Sequence, residues 1–198
     1  VILLKISSLE GEKMKLKMVK RLSSKRSENN RVRREGNIPA VLYSSGTTNE
    51  NISVDGVEFA EIVRKMIPGR LSTTKFKLVE GGKEVPAIIK EIQYHPTTYQ
   101  IMHLDFERLI PGVSVTLNVP LEFSGVAECA GIKLGGFLRT VMRHAKVTCT
   151  PELIPDVFTI DVRELAIGQS KRLSNIQMPK GVKPLSSLEE VAVVIAKR

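Results

Sequence analysis

KFKLVEGGKEVPAIIKEIQYHPTTYQIMHLDF, residues 75–106, reads as three strands separated by two turns. Residues 75–80 and 85–94 have strand composition and flank Gly81-Gly82, so they form a hairpin. In residues 101–106, IMHLDF, alternation across a strand sends Met102, Leu104 and Phe106 to the core and leaves His103 and Asp105 facing outward together. A rigid sheet that presents two polar groups side by side is the first expectation.

Upstream, residues 38–43, IPAVLY, read as a strand entered through Pro39, where no amide donor is needed. Residues 29–36 then form the loop or turn that delivers charge to the sheet. A short strand at residues 51–54 leads to Asp55, with Glu58 three residues on and Phe59, Ile62, Val63 and Met66 on one helical face. That pattern predicts a capped amphipathic helix that ends at Pro68-Gly69 and packs on the core. Downstream, Pro111-Gly112 breaks the pattern and marks a domain boundary. Val113, Val115, Leu117 and Val119 alternate with polar residues in a half-buried strand that stops at Pro120. Gly135-Gly136 precedes a strand running from Phe137 towards Cys149. Phe158, Ile160 and Val162 mark another, and residues 191–196 close the sheet. The expected fold is mainly β with a few helices, in two β-rich domains at residues 14–110 and 111–198. Residues 1–13 are expected to be an extension outside the folded unit.

The chain of 198 residues is 42% hydrophobic and 26% charged, which is ordinary globular composition and excludes wholesale disorder. Its net charge of +9 is concentrated at the front, where residues 1–43 hold 11 Lys/Arg against 4 Asp/Glu. Lys13 to Arg34 supply ten of those cations, enough to meet several phosphates, so the expected partner is a polyanion. From Arg21 to Arg34 only Leu22 and Val32 are large and apolar, too few for a helix lying on a membrane surface. The apolar opening, residues 1–4, is too short for a signal core or a membrane span. Two cysteines make no disulfide framework, and a reducing cytoplasm is the expected compartment.

Catalysis needs a nucleophile, a base or a metal site. His95, His103, His144, Cys129 and Cys149 show no CxxC, HExxH or close histidine pair, so no metal and no cofactor is expected. A hydrolase or transferase built on His103 and Asp105 is the alternative reading, but no nucleophile elbow accompanies the pair. Gly131, Gly135 and Gly136 lack the spacing of a phosphate-binding loop and read as a backbone turn, while the cysteines read as packing residues.

Four blocks in order carry a resemblance: RVRREGNIPAVLY at 31–43, KEIQYHPTTYQIMHLDFERL at 90–109, VPLEFSGVAECAGIKLGGFL at 119–138, and ELIP with IDVRELAIGQS within 152–170. The sequence resembles the bacterial large-subunit ribosomal protein L twenty-five family in its long two-domain form, the general stress protein Ctc. The resemblance implies a six-stranded β-barrel first domain that binds 5S ribosomal RNA at its loop E region, followed by a second β-rich domain; residues 111–198 are expected to contact neighbouring ribosomal protein or RNA, with no residue there identifying the partner. It implies a non-enzymatic protein associated with ribosomes. Carried over by position, it assigns Arg21, Arg26, Arg31 and Arg33 to the RNA backbone and Tyr43, His103 and Asp105 to the RNA-facing sheet. Asn29 and Asn30 fall where the family has a serine and an arginine that also touch RNA. Lys25, Arg26 and Ser27 replace a glycine-lysine-glycine turn, and Ser44 replaces a glycine.

Overall fold

The computed structural model describes residues 14–21, 25–44, 46 and 48–197, so the expected extension at residues 1–13 lies outside the described residues. The chain divides into two compact units, Val1–Ile110 and Pro111–Arg198.

Strand alternation begins within the basic run itself. In KLKMVK, Leu16 and Met18 are buried while Lys15, Lys17 and Val19 stay outside, which makes strand β1 (Lys15–Lys20). The segment expected to be a loop at residues 29–36 is mostly helix instead, α1 (Arg26–Arg34). One buried residue, Val32, anchors it where α1 packs on the following strand. Glu28 in its first turn and Arg31, Arg33 and Arg34 in its last complement the helix dipole. With a single apolar contact there was no 3.6-residue periodicity to read.

Strands β2 (Asn37–Tyr43) and β3 (Glu50–Asp55) follow, and then helix α2 (Gly56–Lys65). The Asp55 carboxylate accepts from the amides of Val57 and Glu58 at 2.8 and 3.2 Å, as the capping pattern predicts. The helix stops at Lys65, short of the expected Pro68-Gly69, because Met66 is already extended. Strands β4 (Lys75–Glu80) and β5 (Lys83–Tyr94) form the expected hairpin, and β6 (Ile101–Arg108) completes the unit.

The six strands close into a barrel in the order β1-β3-β2-β6-β5-β4. Parallel pairing of β1 with β4, Leu16 opposite Leu78, seals it, so no strand is left with a free edge. Inside, Phe76 lies 6.4 Å from Phe59 of α2 and 6.3 Å edge-on from Phe106, and all three rings are fully buried.

In the second unit, β7 (Val115–Ser124) runs through Pro120 rather than stopping there. Pro120 is tolerated because β7 changes partner at that point. Residues up to Pro120 pair with one strand, and those from Leu121 onward pair with another. After a short helix, α3 (Ala130–Lys133), the single strand expected from Phe137 towards Cys149 is two, β8 (Gly136–Thr140) and β9 (His144–Cys149). They belong to different sheets. With β10 (Phe158–Asp161), β11 (Ser170–Arg172), β12 (Lys183–Pro184) and β13 (Val191–Lys197), they form a four-stranded sheet, β10-β7-β9-β12, and a three-stranded one, β11-β13-β8. Cys129 and Cys149 are buried thiols, and Cys129 donates to the Leu165 carbonyl at 3.3 Å.

Candidate nucleic-acid interface

Helix α1 brings a cluster of arginines onto the outside of the barrel, and the fold divides them into two kinds. Arg21, just past β1, turns its guanidinium inward. It donates to the Ile52 carbonyl at 2.8 Å, to the Ala40 carbonyl at 3.5 Å and to the side chain of Asn29. It therefore ties β3, β2 and α1 together. Burial lowers its pKa from the usual arginine value, with Glu28 opposing and Arg33 reinforcing that shift. Arg33 plays a similar part on the other side. Its Nε and one terminal nitrogen donate to the Met102 carbonyl at 3.2 and 3.1 Å, and the other reaches Asn30 Oδ1 at 3.2 Å. This clamps α1 against the start of β6.

Arg26, Arg31 and Arg34 are exposed. Arg31 has only a loose contact with Glu35 at 3.7 Å, and among the described residues Arg26 and Arg34 have no ion-pair partner. The forks of Arg26 and Arg34 are free to take paired oxygens of an anion, and Arg31 meets Glu35 only through Nε. Arg34 was absent from the residues singled out in the sequence. Its placement beside Arg31 on successive helical turns becomes visible only once α1 is known to be a helix.

Beside this helix, β6 presents its outer face as the alternation predicts. Leu104 and Phe106 are fully buried and Met102 is partly so, while His103 and Asp105 are partly exposed. His103 Nδ1 lies 2.7 Å from Asp105 Oδ1. A carboxylate only accepts, so this bond places a proton on Nδ1, and whenever the ring is neutral Nε2 is an acceptor. The register extends the face. Gln93 lies opposite His103, Glu91 opposite Asp105, and Tyr43 opposite Glu107. Glu107 is paired with Lys90 at 2.8 Å. Tyr43 is half-buried, and desolvation, aided by Glu107, Asp105 and Glu91, pushes its phenol up to about 12, so it keeps its proton near neutrality.

The site is thus chemically two-sided. The helix offers free cations, while the sheet offers acceptors and one hydroxyl with almost no positive charge. All nine residues singled out in the sequence lie in this region, but Arg21, Asn29, Asn30 and Arg33 use their polar groups on the protein itself. The remaining cations of the basic run that are described belong largely to β1 and are paired: Lys15 with Glu84 at 2.8 Å, Lys17 with Glu58 at 2.7 Å, and Lys20 with Glu80 at 3.4 Å. Among the described residues no group of three or more His, Cys, Asp or Glu gathers as a metal site.

Comparison with known proteins gives this arrangement a context. Residues 16–106 match the Ribosomal L25p family, and residues 114–198 match the C-terminal domain of ribosomal protein TL5. The large ribosomal subunit protein bL25 of Chlamydia trachomatis serovar A is 43% identical over 185 residues, covering 93% of this chain and all of that protein. The proteins of the same description from Chlamydia muridarum and Chlamydia pneumoniae are 41% and 39% identical over the same coverage.

Proposed function

Because the chain belongs to the bL25 family of large ribosomal subunit proteins, we propose that it serves that subunit by binding 5S ribosomal RNA through its first unit. It is a structural component of the subunit and not an enzyme. The observation that carries the RNA reading is the juxtaposition of free arginines on α1 with a fixed row of acceptors on β6 and β2.

An RNA helix exposes a wide shallow minor groove lined by 2′-hydroxyls, flanked by phosphates. Arg26, Arg31 and Arg34 take the phosphates. His103 Nε2 and the Asp105 carboxylate accept from 2′-hydroxyls or base amino groups, and the Tyr43 hydroxyl both donates and accepts. Arg21 and Arg33 are positioning residues, with Asn29 and Asn30 fixing their forks. The His103–Asp105 pair, the nucleus of the enzymatic alternative, works here as a rigid hydrogen-bonding unit.

The test compares the full chain with its His103→Ala variant against 5S ribosomal RNA and an unrelated RNA duplex, across a salt series. The variant is expected to lose about five- to tenfold in preference for 5S ribosomal RNA while the slope of log K against log salt is unchanged, because a neutral group releases no counterion. Equal affinity of the parent protein for both RNAs would overturn the assignment.

A further inference from the structure

No acidic residue occurs between Glu128 and Glu152, a stretch with four Lys/Arg, whereas the rest of residues 111–198 holds seven Lys/Arg against eight Asp/Glu. The whole positive excess of the second unit therefore sits in one segment, the one that builds α3, β8 and β9. None of the three strands β11, β13 and β8, which form one sheet, contains an acid.

The glycine turn in this segment is built for close approach. A Cβ on Gly131 would lie 2.9 Å from the Leu165 carbonyl oxygen, and one on Gly136 would lie 2.7 Å from the Gly131 oxygen. The backbones of α3 and β8 thus pack without intervening side chains, and Lys133 at the end of α3 and Leu134 in the turn after it are exposed. Leu134 is 75% exposed. Along β8, Leu138 pairs with fully buried Ile195, whereas Phe137 pairs with Ala196 and Arg139 with Val194. Phe137 and Arg139 therefore share the outer face. Phe137 is 48% exposed, as is Val141 to 54% just beyond the strand, and Arg143 follows them. Exposed aromatic and aliphatic groups interleaved with cations, on a rigid sheet free of acids, match a polyanion that also has flat apolar faces.

We propose that the outer face of β8, with the turn that precedes it, is a second RNA-binding surface that takes a single-stranded segment, one unstacked base lying on Phe137. Arg139, Lys133 and Arg143 meet the phosphates on either side, and Leu134 and Val141 border the base. An acidic protein would satisfy the cations but would give Phe137 no flat π-partner, whereas every base does. The surface lies in the second unit and does not depend on the reading of the α1 face.

The experiment uses the full chain and an oligouridylate of about 12 nucleotides, within the range such surfaces span. One copy carries 4-thiouridine for photocrosslinking with the attached residue mapped by mass spectrometry, and another carries a fluorophore for anisotropy. Crosslinks are expected within residues 133–143. Phe137→Ala should weaken oligouridylate binding about tenfold at unchanged salt slope, and Phe137→Tyr should restore it. Arg139→Ala should flatten that slope by about 0.7. All three variants should bind 5S ribosomal RNA like the parent, so failure here and failure of the α1 assignment are told apart. Crosslinks confined to residues 25–43, or a Phe137→Ala protein that binds as tightly as Phe137→Tyr, would overturn the proposal. So would polyglutamate that competes as well as unlabelled oligouridylate, which would mark the surface as one for acidic protein.

Discussion

Strand β1 and helix α1 carry comparable runs of positive charge, but the fold uses them differently. The three lysines of β1 each face a glutamate on another element of the unit. The arginines of α1 stand on a helix held by a single buried side chain, and three of them remain available. A count of charge along the sequence treats these segments alike. Ion pairs within the protein, which are neutral from a distance, leave the unpaired positive charge on α1 rather than on β1.

Charge reversal sharpens that contrast most. Changing Arg26, Arg31 and Arg34 together to Glu should lower affinity for 5S ribosomal RNA on the order of a hundredfold or more at moderate salt. The matching reversal of Lys15, Lys17 and Lys20 should lower it only a few fold while reducing resistance to urea, since it sets like charges against Glu84, Glu58 and Glu80. Filter binding and denaturant titration on both triple variants provide the check. A β1 variant as defective in binding as the α1 variant would erase the distinction.

The apolar anchors of the two elements should differ in the same sense. Leu16→Ala opens a cavity in a sealed barrel and should cost about 2–5 kcal/mol of unfolding free energy, whereas Val32→Ala, which removes the anchor of α1, should cost about 1–2 kcal/mol. Urea melts of the two variants measure both values. Within α1 itself, Arg31→Ala should flatten the salt slope by roughly 0.7–0.9 with no change in melting temperature. Arg33→Ala should lower melting temperature and affinity together with little change in slope, because its guanidinium holds the Met102 carbonyl.

The smallest effect concerns Tyr43. Its folded pKa of about 12 lies above the usual value near 10, so the native state holds the proton longer than the unfolded chain does. Its contribution to stability is complete below pH 10 and is lost as pH rises from about 10 through 12. Absorbance at the phenolate band should show one tyrosine titrating late, and Tyr43→Phe should remove that late step.

Much of this was legible in the sequence for identifiable reasons. The α2 helix announced itself through Asp55, Glu58 and its apolar spacing, and His103 with Asp105 through strand alternation. Helix α1 gave no such signal because a single residue, Val32, supplies its apolar contact with the sheet. Strand β1 was masked by its own lysines, although Leu16 and Met18 alternate with them correctly. The two roles of arginine were hidden for another reason. A side chain that long folds back onto carbonyls from distant strands, such as Arg21 onto Ile52 and Arg33 onto Met102, and local sequence says nothing of where those carbonyls lie. Pro120 misled because its effect depends on which neighbour β7 has at that residue.

The barrel order has a consequence for synthesis. Strand β6 is inserted between β2 and β5, and Ala40 finds its parallel partner only when Leu104 arrives. Until the ribosome has released residues 101–108, β2 and β5 keep open edges, a state prone to joining other chains. The same strand carries His103, Asp105 and the carbonyl that holds Arg33. A nascent chain stopped short of β6 would own every cation of α1 and yet lack both the clamp and the acceptors. Selective grip on RNA would then certify that translation had passed through the barrel, turning the last strand into an inspection mark for the finished product.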